Sequence, residues 1–335
     1  MKIIVTGAAG FIGMHTCIAL LKKGYEVVGV DNINDYYDIN LKLSRIEKIK
    51  EYPKFKFERK DITIKEEIDS IFERFKPEKV VHLAAQAGVR YSLVNPEIYI
   101  KTNINGFFNV LENCRKNSIK HFLYASSSSV YGGNKKVPFC ESDKVDNPVS
   151  LYAATKKSNE LMAYTYSHLF GMQTTGLRFF TVYGPWGRPD MSPMIFTRSI
   201  LAGQEIDVFN HGNMKRDFTY IDDIVDGIIK IIEKEVGRQN MEGEIGYAEE
   251  IDGLATSQIY NIGNSKSVGL LEYIKILEDE LGVKAKKRYL PMQSGDVFET
   301  YADISKIKKA SGFEPNTRLV DGIKKFIEWY RCYYK

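Results

Sequence analysis

A doubly wound α/β fold, a parallel sheet clothed on both faces by helices and capped by a smaller C-terminal α/β unit, is predicted by three features of this chain. Short apolar strands alternate with amphipathic helix-length segments up to about residue 180, and a glycine triplet stands at the first strand-to-helix junction. After Thr181 the alternation breaks into Pro- and Gly-punctuated chain. The strands are K-I-I-V-T (2–6), E-V-V-G-V (26–30), F-K-F-E (55–58), K-V-V-H-L (79–83), H-F-L-Y-A (121–125) and T-T-G-L-R (174–178). Helical spacing falls near 11–23, 40–50, 63–75, 96–116 and 151–170. Helices between successive parallel strands cover both sheet faces, and ligands in such a sheet sit at the strand C-termini. Beyond Thr181, V-Y-G-P-W-G-R-P-D-M-S-P and F-N-H-G-N-M-K-R-D-F read as a loop-rich cap, residues 221–233 as a helix, and Q-I-Y-N-I-G as a short strand rejoining the main sheet. The polar, glycine-bearing stretch 236–257 reads as a surface excursion.

At 335 residues with 44% apolar side chains, the chain can bury a substantial core. A net charge of +4 arises from mixed signs without a basic run or tail, which argues against nucleic acid, and no apolar run approaches membrane-spanning length. Cys17, Cys114, Cys140 and Cys332 lack C-x-x-C spacing, so free thiols are expected rather than disulfides or zinc, and no metal site is proposed. Met1 enters a strand at once, leaving no room for a signal peptide; a soluble cytoplasmic protein is the expectation.

Gly7, Gly10 and Gly13 end the first strand and open a helix. The first glycine permits a tight turn, the second lets backbone approach a pyrophosphate, and the third allows close helix packing, with the anion at the helix N-terminus beside Phe11 and Ile12. Asp31, followed by Asn32, ends the second strand at the distance expected for an adenosine ribose. A carboxylate there would repel a 2′-phosphate, and no arginine is adjacent in sequence, so NAD is expected over NADP. Asp61 and Ile62 follow the third strand, placed to meet adenine, although an N-cap role competes for Asp61. Leu83, Ala84, Ala85 and Gln86 would line the pyrophosphate and nicotinamide ribose.

Tyr152 and Lys156 stand four residues apart in Y-A-A-T-K, on one face of a helix, so the ammonium can lie beside the phenol and favour phenolate. The task this suits is removal of a hydroxyl proton while hydride leaves the same carbon for a nicotinamide. Ser126–Ser129 close the fifth strand, at the crevice where a hydroxyl could bond the substrate oxygen.

The marks T-G-A-A-G-F-I-G, D-N, H-L-A-A, S-S-S-S-V-Y-G, Y-x-x-x-K and R-F-F-T-V-Y-G-P together resemble the extended short-chain dehydrogenases/reductases, specifically the nucleotide-sugar epimerases and dehydratases, over essentially the whole chain. The resemblance implies a catalytic hydroxyl at Ser127, a base at Tyr152, and at Lys156 a residue that lowers the phenol pKa and holds the nicotinamide ribose. It implies that Asn103 helps order the cofactor, that Arg216 grips a nucleotide diphosphate, and that Asp296 meets the uridine ribose, with Val208 on the same substrate side; a surface role competes for Arg216 and Asp296. An NAD-binding Rossmann domain over 1–181, with a returning segment about 220–264, and a nucleotide-sugar-binding domain over 182–219 and 265–335 are expected.

Dehydratases of this kind carry an Asp-Glu pair directly after the catalytic hydroxyl, and decarboxylating relatives a glutamate before V-Y-G; here Ser128 and Ser129 occupy those places. The longest matches, D-N-I-N-D-Y-Y-D, L-A-A-Q-A-G-V-R-Y-S, S-L-Y-A-A-T-K-K-S-N-E-L-M-A and F-F-T-V-Y-G-P-W-G-R-P-D-M, resemble the UDP-glucuronate 4-epimerases. Galactose-type epimerases usually have asparagine where this chain has Thr181. What the resemblance implies is C4 epimerisation of UDP-glucuronate, with Ser128, Ser129, Thr181 and Arg188 holding the sugar carboxylate and Arg90 a further candidate for that anion. UDP-hexose epimerisation is the alternative activity. Helices 96–116 and 151–170 resemble those that pair in a homodimer, although cover by the same chain would also explain their apolar faces.

Overall fold

The computed structural model describes residues 1–234, 257–293 and 295–334. The 236–257 stretch therefore lies, apart from Ser257, outside the described residues. In chain order the elements are β1 (Lys2–Thr6), α1 (Phe11–Lys22), β2 (Glu26–Asp31), α2 (Ile39–Lys50), β3 (Phe55–Arg59), α3 (Lys65–Phe75) and β4 (Lys79–His82). There follow α4 (Tyr91–Val94), α5 (Pro96–Tyr99), a π-helical turn (Ile100–Gly106), α6 (Phe107–Lys116), β5 (His121–Ser127), α7 (Leu151–Phe170), β6 (Thr174–Phe179) and β7 (Thr181–Tyr183). The remainder is α8 (Ser192–Leu201), β8 (Glu205–Val208), β9 (Lys215–Tyr220), α9 (Ile221–Glu233), β10 (Ser257–Ile262), β11 (Ser267–Gly269), α10 (Leu270–Leu281), β12 (Lys286–Tyr289), α11 (Ser305–Ser311) and α12 (Leu319–Tyr333).

Seven parallel strands form the main sheet in the order β10-β6-β5-β4-β1-β2-β3. Their near-continuous apolar runs suit burial on both faces. Met14, Cys17 and Leu20 of α1 pack with the isoleucines of α9 in one core cluster, and Ile68, Phe72, Phe107 and Val110 of α3 and α6 in another. Strand order reverses between β1 and β4, and the crevice at such a switch point is where a doubly wound sheet binds its ligand. Beside it lie a three-stranded sheet, β11-β9-β7, and the pair β12-β8.

Two expectations change. The single helix at 96–116 is α5, a π-helical turn and α6. The widened turn carries Asn103 inward, where its side chain accepts from Gln86 N at 2.8 Å and donates to Gln86 O at 3.0 Å and Thr155 Oγ1 at 3.1 Å. The second change is β9: K-R-D-F-T-Y is the middle strand of the smaller sheet rather than loop, because Phe218 and Tyr220 bury against Tyr183 and Tyr273.

Candidate active site

β1 ends in a turn at Gly7 (φ +73°), and α1 starts at Gly10 with no side-chain cap and no acidic residue in its first turn, leaving its free N–H groups to meet an anion. A Cβ on Gly7 would lie 2.7 Å from Ala84 N, and one on Gly13 only 1.9 Å from Gly7 O. The residue type is thus required by backbone packed on backbone. Asp31 holds this turn from the other side, accepting from Ala9 N at 3.0 Å and Ile33 N at 2.9 Å. Burial pushes its carboxyl above the usual range, and the Ile33 N–H and the cations Lys42 and Arg45 oppose that. Those two cations come from α2, so the fold supplies what sequence adjacency did not. Neither is free: Lys42 Nζ donates to Asn34, and Arg45 to backbone carbonyls and Tyr37.

A cleft of about 1130 Å³ opens from this loop across the C-terminal strand ends. Gly7, Gly10, Phe11, Ile12, Gly13, Asp31, Asn32, Ile62 and Leu83–Gln86 line it, as do Arg90, Ser127–Ser129, Tyr152, Lys156, Thr181, Arg188, Arg216 and Asp296. Three expected residues are not on its wall. Asp61 turns back to accept from Thr63 N at 2.8 Å and Asn32 Nδ2 at 3.0 Å, ordering the turn before α3. Asn103 acts from behind through Gln86. Val208 is fully buried in the core because alternation along β8 turns it inward, while its neighbours Asp207 and Phe209 face the cleft.

The chemistry-bearing end is set by β5 and α7. Ser127 at the end of β5 has its Oγ 3.1 Å from both Ser129 N and Ser129 Oγ. Ser150 caps α7 by accepting from Ala153 N at 3.1 Å, which puts Tyr152 in the first turn. Beneath them Glu160 and Arg178 form a buried bidentate pair at 2.8 and 2.9 Å, and Ser126 donates to Glu160 at 2.7 Å. Burial works to raise the Glu160 carboxyl, yet Arg178 and Ser126 more than offset it, so the group stays below its ordinary range.

One electrostatic expectation is corrected. Burial holds the Tyr152 phenol above its ordinary pKa, and what pulls it back is the Ser127 hydrogen bond and the Arg188 charge. Lys156 Nζ instead donates to Ala125 O at 2.9 Å, and burial lowers its pKa to about 8. Arg90, on the same cleft wall, pairs with Asp296 at 3.0 Å and lies over Phe209. The loop after β4 packs on Gly295, where a Cβ would lie 3.3 Å from Val89, and carries Arg90 with it. Arg188 forms its own bidentate pair with Asp190 at 3.0 and 2.5 Å, and Tyr36 Oη donates to Asp190 at 3.1 Å. Residue-by-residue reading missed Tyr36 and Asp190, although both lie inside motifs quoted for their overall match.

Among the described residues no cluster of His, Cys, Asp or Glu could hold a metal, and no helix is long and apolar enough to cross a membrane. An uncapped glycine turn at the sheet's switch point, a carboxylate at the end of β2 and a Tyr–Ser pair facing the same cleft define a nicotinamide-dinucleotide-dependent protein of the short-chain type. The chain matches the GDP-mannose 4,6 dehydratase family model over residues 4–326 and belongs to this NAD-dependent epimerase/dehydratase family. It is 48% identical over 339 residues to UDP-glucuronate 4-epimerase 4 of Arabidopsis thaliana, covering 100% of this chain and 76% of that one. The Bacillus cereus UDP-glucuronic acid 4-epimerase in complex with UDP-glucuronic acid and NAD superposes with a TM-score of 0.89 at 33% identity over 99% of each chain. The Thermotoga maritima UDP-glucose 4-epimerase with UDP-glucose gives 0.86 at 32% over 100% of each.

Proposed function

We propose that this chain interconverts UDP-glucuronate and UDP-galacturonate by NAD-dependent epimerisation at C4, through a transient 4-keto sugar and without loss of the carboxylate. The observation that carries the reading is the cleft wall around Tyr152 and Ser127. It holds three hydroxyls, Ser128, Ser129 and Thr181, with Arg188, where elimination chemistry would need an acid–base carboxylate pair. The Gly7–Gly13 turn fits a dinucleotide pyrophosphate and Asp31 a ribose diol, so the residues present suit NAD. When bound, that cofactor would supply a reversible hydride acceptor for C4 and a positive charge that favours phenolate.

Tyr152 takes the C4 hydroxyl proton on oxidation and gives it back on reduction, with Ser127 hydrogen-bonding the same oxygen. Lys156, anchored on Ala125 O, orders the nicotinamide ribose. The Arg90–Asp296 pair and Arg216 hold the nucleotide end. Between the two half-reactions the sugar turns about its link to the diphosphate and presents its other face.

The oxidised sugar carries its carboxylate β to a ketone, and carbon dioxide leaves fastest when that bond lies parallel to the carbonyl π system. Ser128, Ser129, Thr181 and Arg188 hold the group out of alignment. Replacing Ser128, Ser129 and Thr181 together by alanine is expected to yield UDP-pentose and carbon dioxide at the expense of UDP-galacturonate. Unchanged epimerisation with no UDP-pentose would remove these hydroxyls from the role.

The function itself is tested by proton NMR of UDP-glucuronate mixed with the purified protein and no added cofactor. Appearance of the C4 epimer supports the reading; conversion of UDP-glucose alone, with UDP-glucuronate untouched, moves the assignment to a neutral UDP-hexose epimerase.

The protein is proposed to work as a homodimer in a reducing cytoplasm, which suits its four free cysteines. Phe108, Leu161, Tyr164 and Leu169 on α6 and α7 are exposed apolar side chains on helices that flank one sheet face, and a second copy is the partner that would cover them. Leu161→Glu is expected to shift sedimentation from dimer to monomer; a wild-type monomer at micromolar concentration would contradict the assignment.

A further inference from the structure

Arg45, on α2, is wholly buried, and among the described residues it has no ion-pair partner. Its guanidinium instead donates to four neutral oxygens from three chain segments: Ala9 O at 2.9 Å, Tyr37 Oη at 2.7 Å, Trp186 O at 2.6 Å and Gly187 O at 3.2 Å. The Asp31 carboxylate feels its charge without pairing with it, and holding a cation out of water on neutral oxygens costs free energy. What Arg45 imposes is the shape of the Gly184–Arg188 turn. Trp186 sits in the left-handed region at φ +64°, where bulky side chains are rare. The strained carbonyls are satisfied from behind, Pro185 O by His15 at 3.1 Å and Trp186 O and Gly187 O by Arg45, while the indole is packed on Trp329 and Tyr333. The next residue is Arg188, aimed across the cleft wall and gripped by Asp190, which Tyr36 holds in turn.

Resting on the function proposed above, we propose that Arg45 is a positioning residue. By tying the Trp186–Gly187 turn to the glycine loop, it sets where Arg188 stands against the C5 substituent, and so determines preference for a carboxylated over a neutral sugar. A planar fork reaching four acceptors is what lysine cannot reproduce, although lysine keeps the charge.

The test is calorimetric binding of UDP-glucuronate, UDP-glucose and UDP to wild type and Arg45→Lys, both saturated with NAD. The preference for UDP-glucuronate over UDP-glucose is expected to fall about tenfold in the variant, with UDP affinity changing far less. A parallel loss for all three ligands, or an unchanged preference, overturns the proposal. If Arg45→Lys does not fold, Tyr37→Phe removes one of the four acceptors and is expected to lower the same preference by roughly threefold; no change there also overturns it. Wild type that fails to epimerise UDP-glucuronate would overturn the functional reading. Wild type that succeeds while Arg45→Lys weakens every ligand alike overturns only the role of Arg45.

Discussion

Tyr152→Phe is expected to lower turnover of UDP-glucuronate by roughly a thousandfold, within the range seen for loss of a general acid–base group, while nicotinamide stays bound. The substitution keeps the ring, which meets Tyr99 edge-on at 6.1 Å, and deletes only the hydroxyl that bonds Ser127. Cofactor retention and melting temperature should therefore move little, which separates a chemical defect from a folding one. The wild-type pH profile follows from the same group. Burial holds the phenol above its ordinary pKa, and in the proposed role the base form accepts the C4 proton, so oxidation is expected to slow as pH falls. Ser127 and Arg188 pull the phenol down; Ser127→Ala should move the acid limb of the profile upward. Turnover of Tyr152→Phe near the wild-type rate would take the phenol out of its role.

Gly13→Ala is the second large effect. Its Cβ would lie 1.9 Å from Gly7 O and 2.8 Å from Gly7 C, and both obstacles are backbone, so no side chain can swing aside. The glycine loop must move away from α1, and the N–H groups proposed to meet the pyrophosphate move with it. The variant is expected to purify without nucleotide and to bind added NAD at least about a hundredfold more weakly, ~3 kcal/mol. Gly269→Ala is the control: nothing lies within 4 Å of its Cβ and its backbone needs no positive φ, so retention should match wild type. Full nucleotide occupancy in Gly13→Ala would contradict the placing of the cofactor on this turn.

Much of this was legible in the sequence because the signals are local. The alternation through β6 stands where the strands and helices are, and the turn at Gly7–Gly13 announces itself within a single strand-to-helix junction. Tyr152 and Lys156 fall on one helix by spacing alone, yet the direction of the lysine was not legible, since its acceptor Ala125 O lies 31 positions away on a different element. The Arg90 partner was hidden for the same reason: Asp296 is 206 positions downstream. Arg45 carries no motif signal, being one arginine among the polar residues of α2 until tertiary contact buries it. Val208 shows how a one-residue step along a strand moves a side chain from cleft to core. The π-helical turn at Ile100–Gly106 has helical spacing that sequence periodicity does not distinguish from an unbroken helix.

The most direct measurement follows the hydrogen on the reacting carbon. UDP-glucuronate carrying deuterium at C4 is incubated with the purified protein, with no cofactor added, and product is read by proton NMR and mass spectrometry. The expected result is UDP-galacturonate that keeps its deuterium at C4, because the same hydride leaves and returns within one active site. Product that has exchanged the label for solvent hydrogen, or that forms only when NAD is supplied in stoichiometric amounts, would contradict the account.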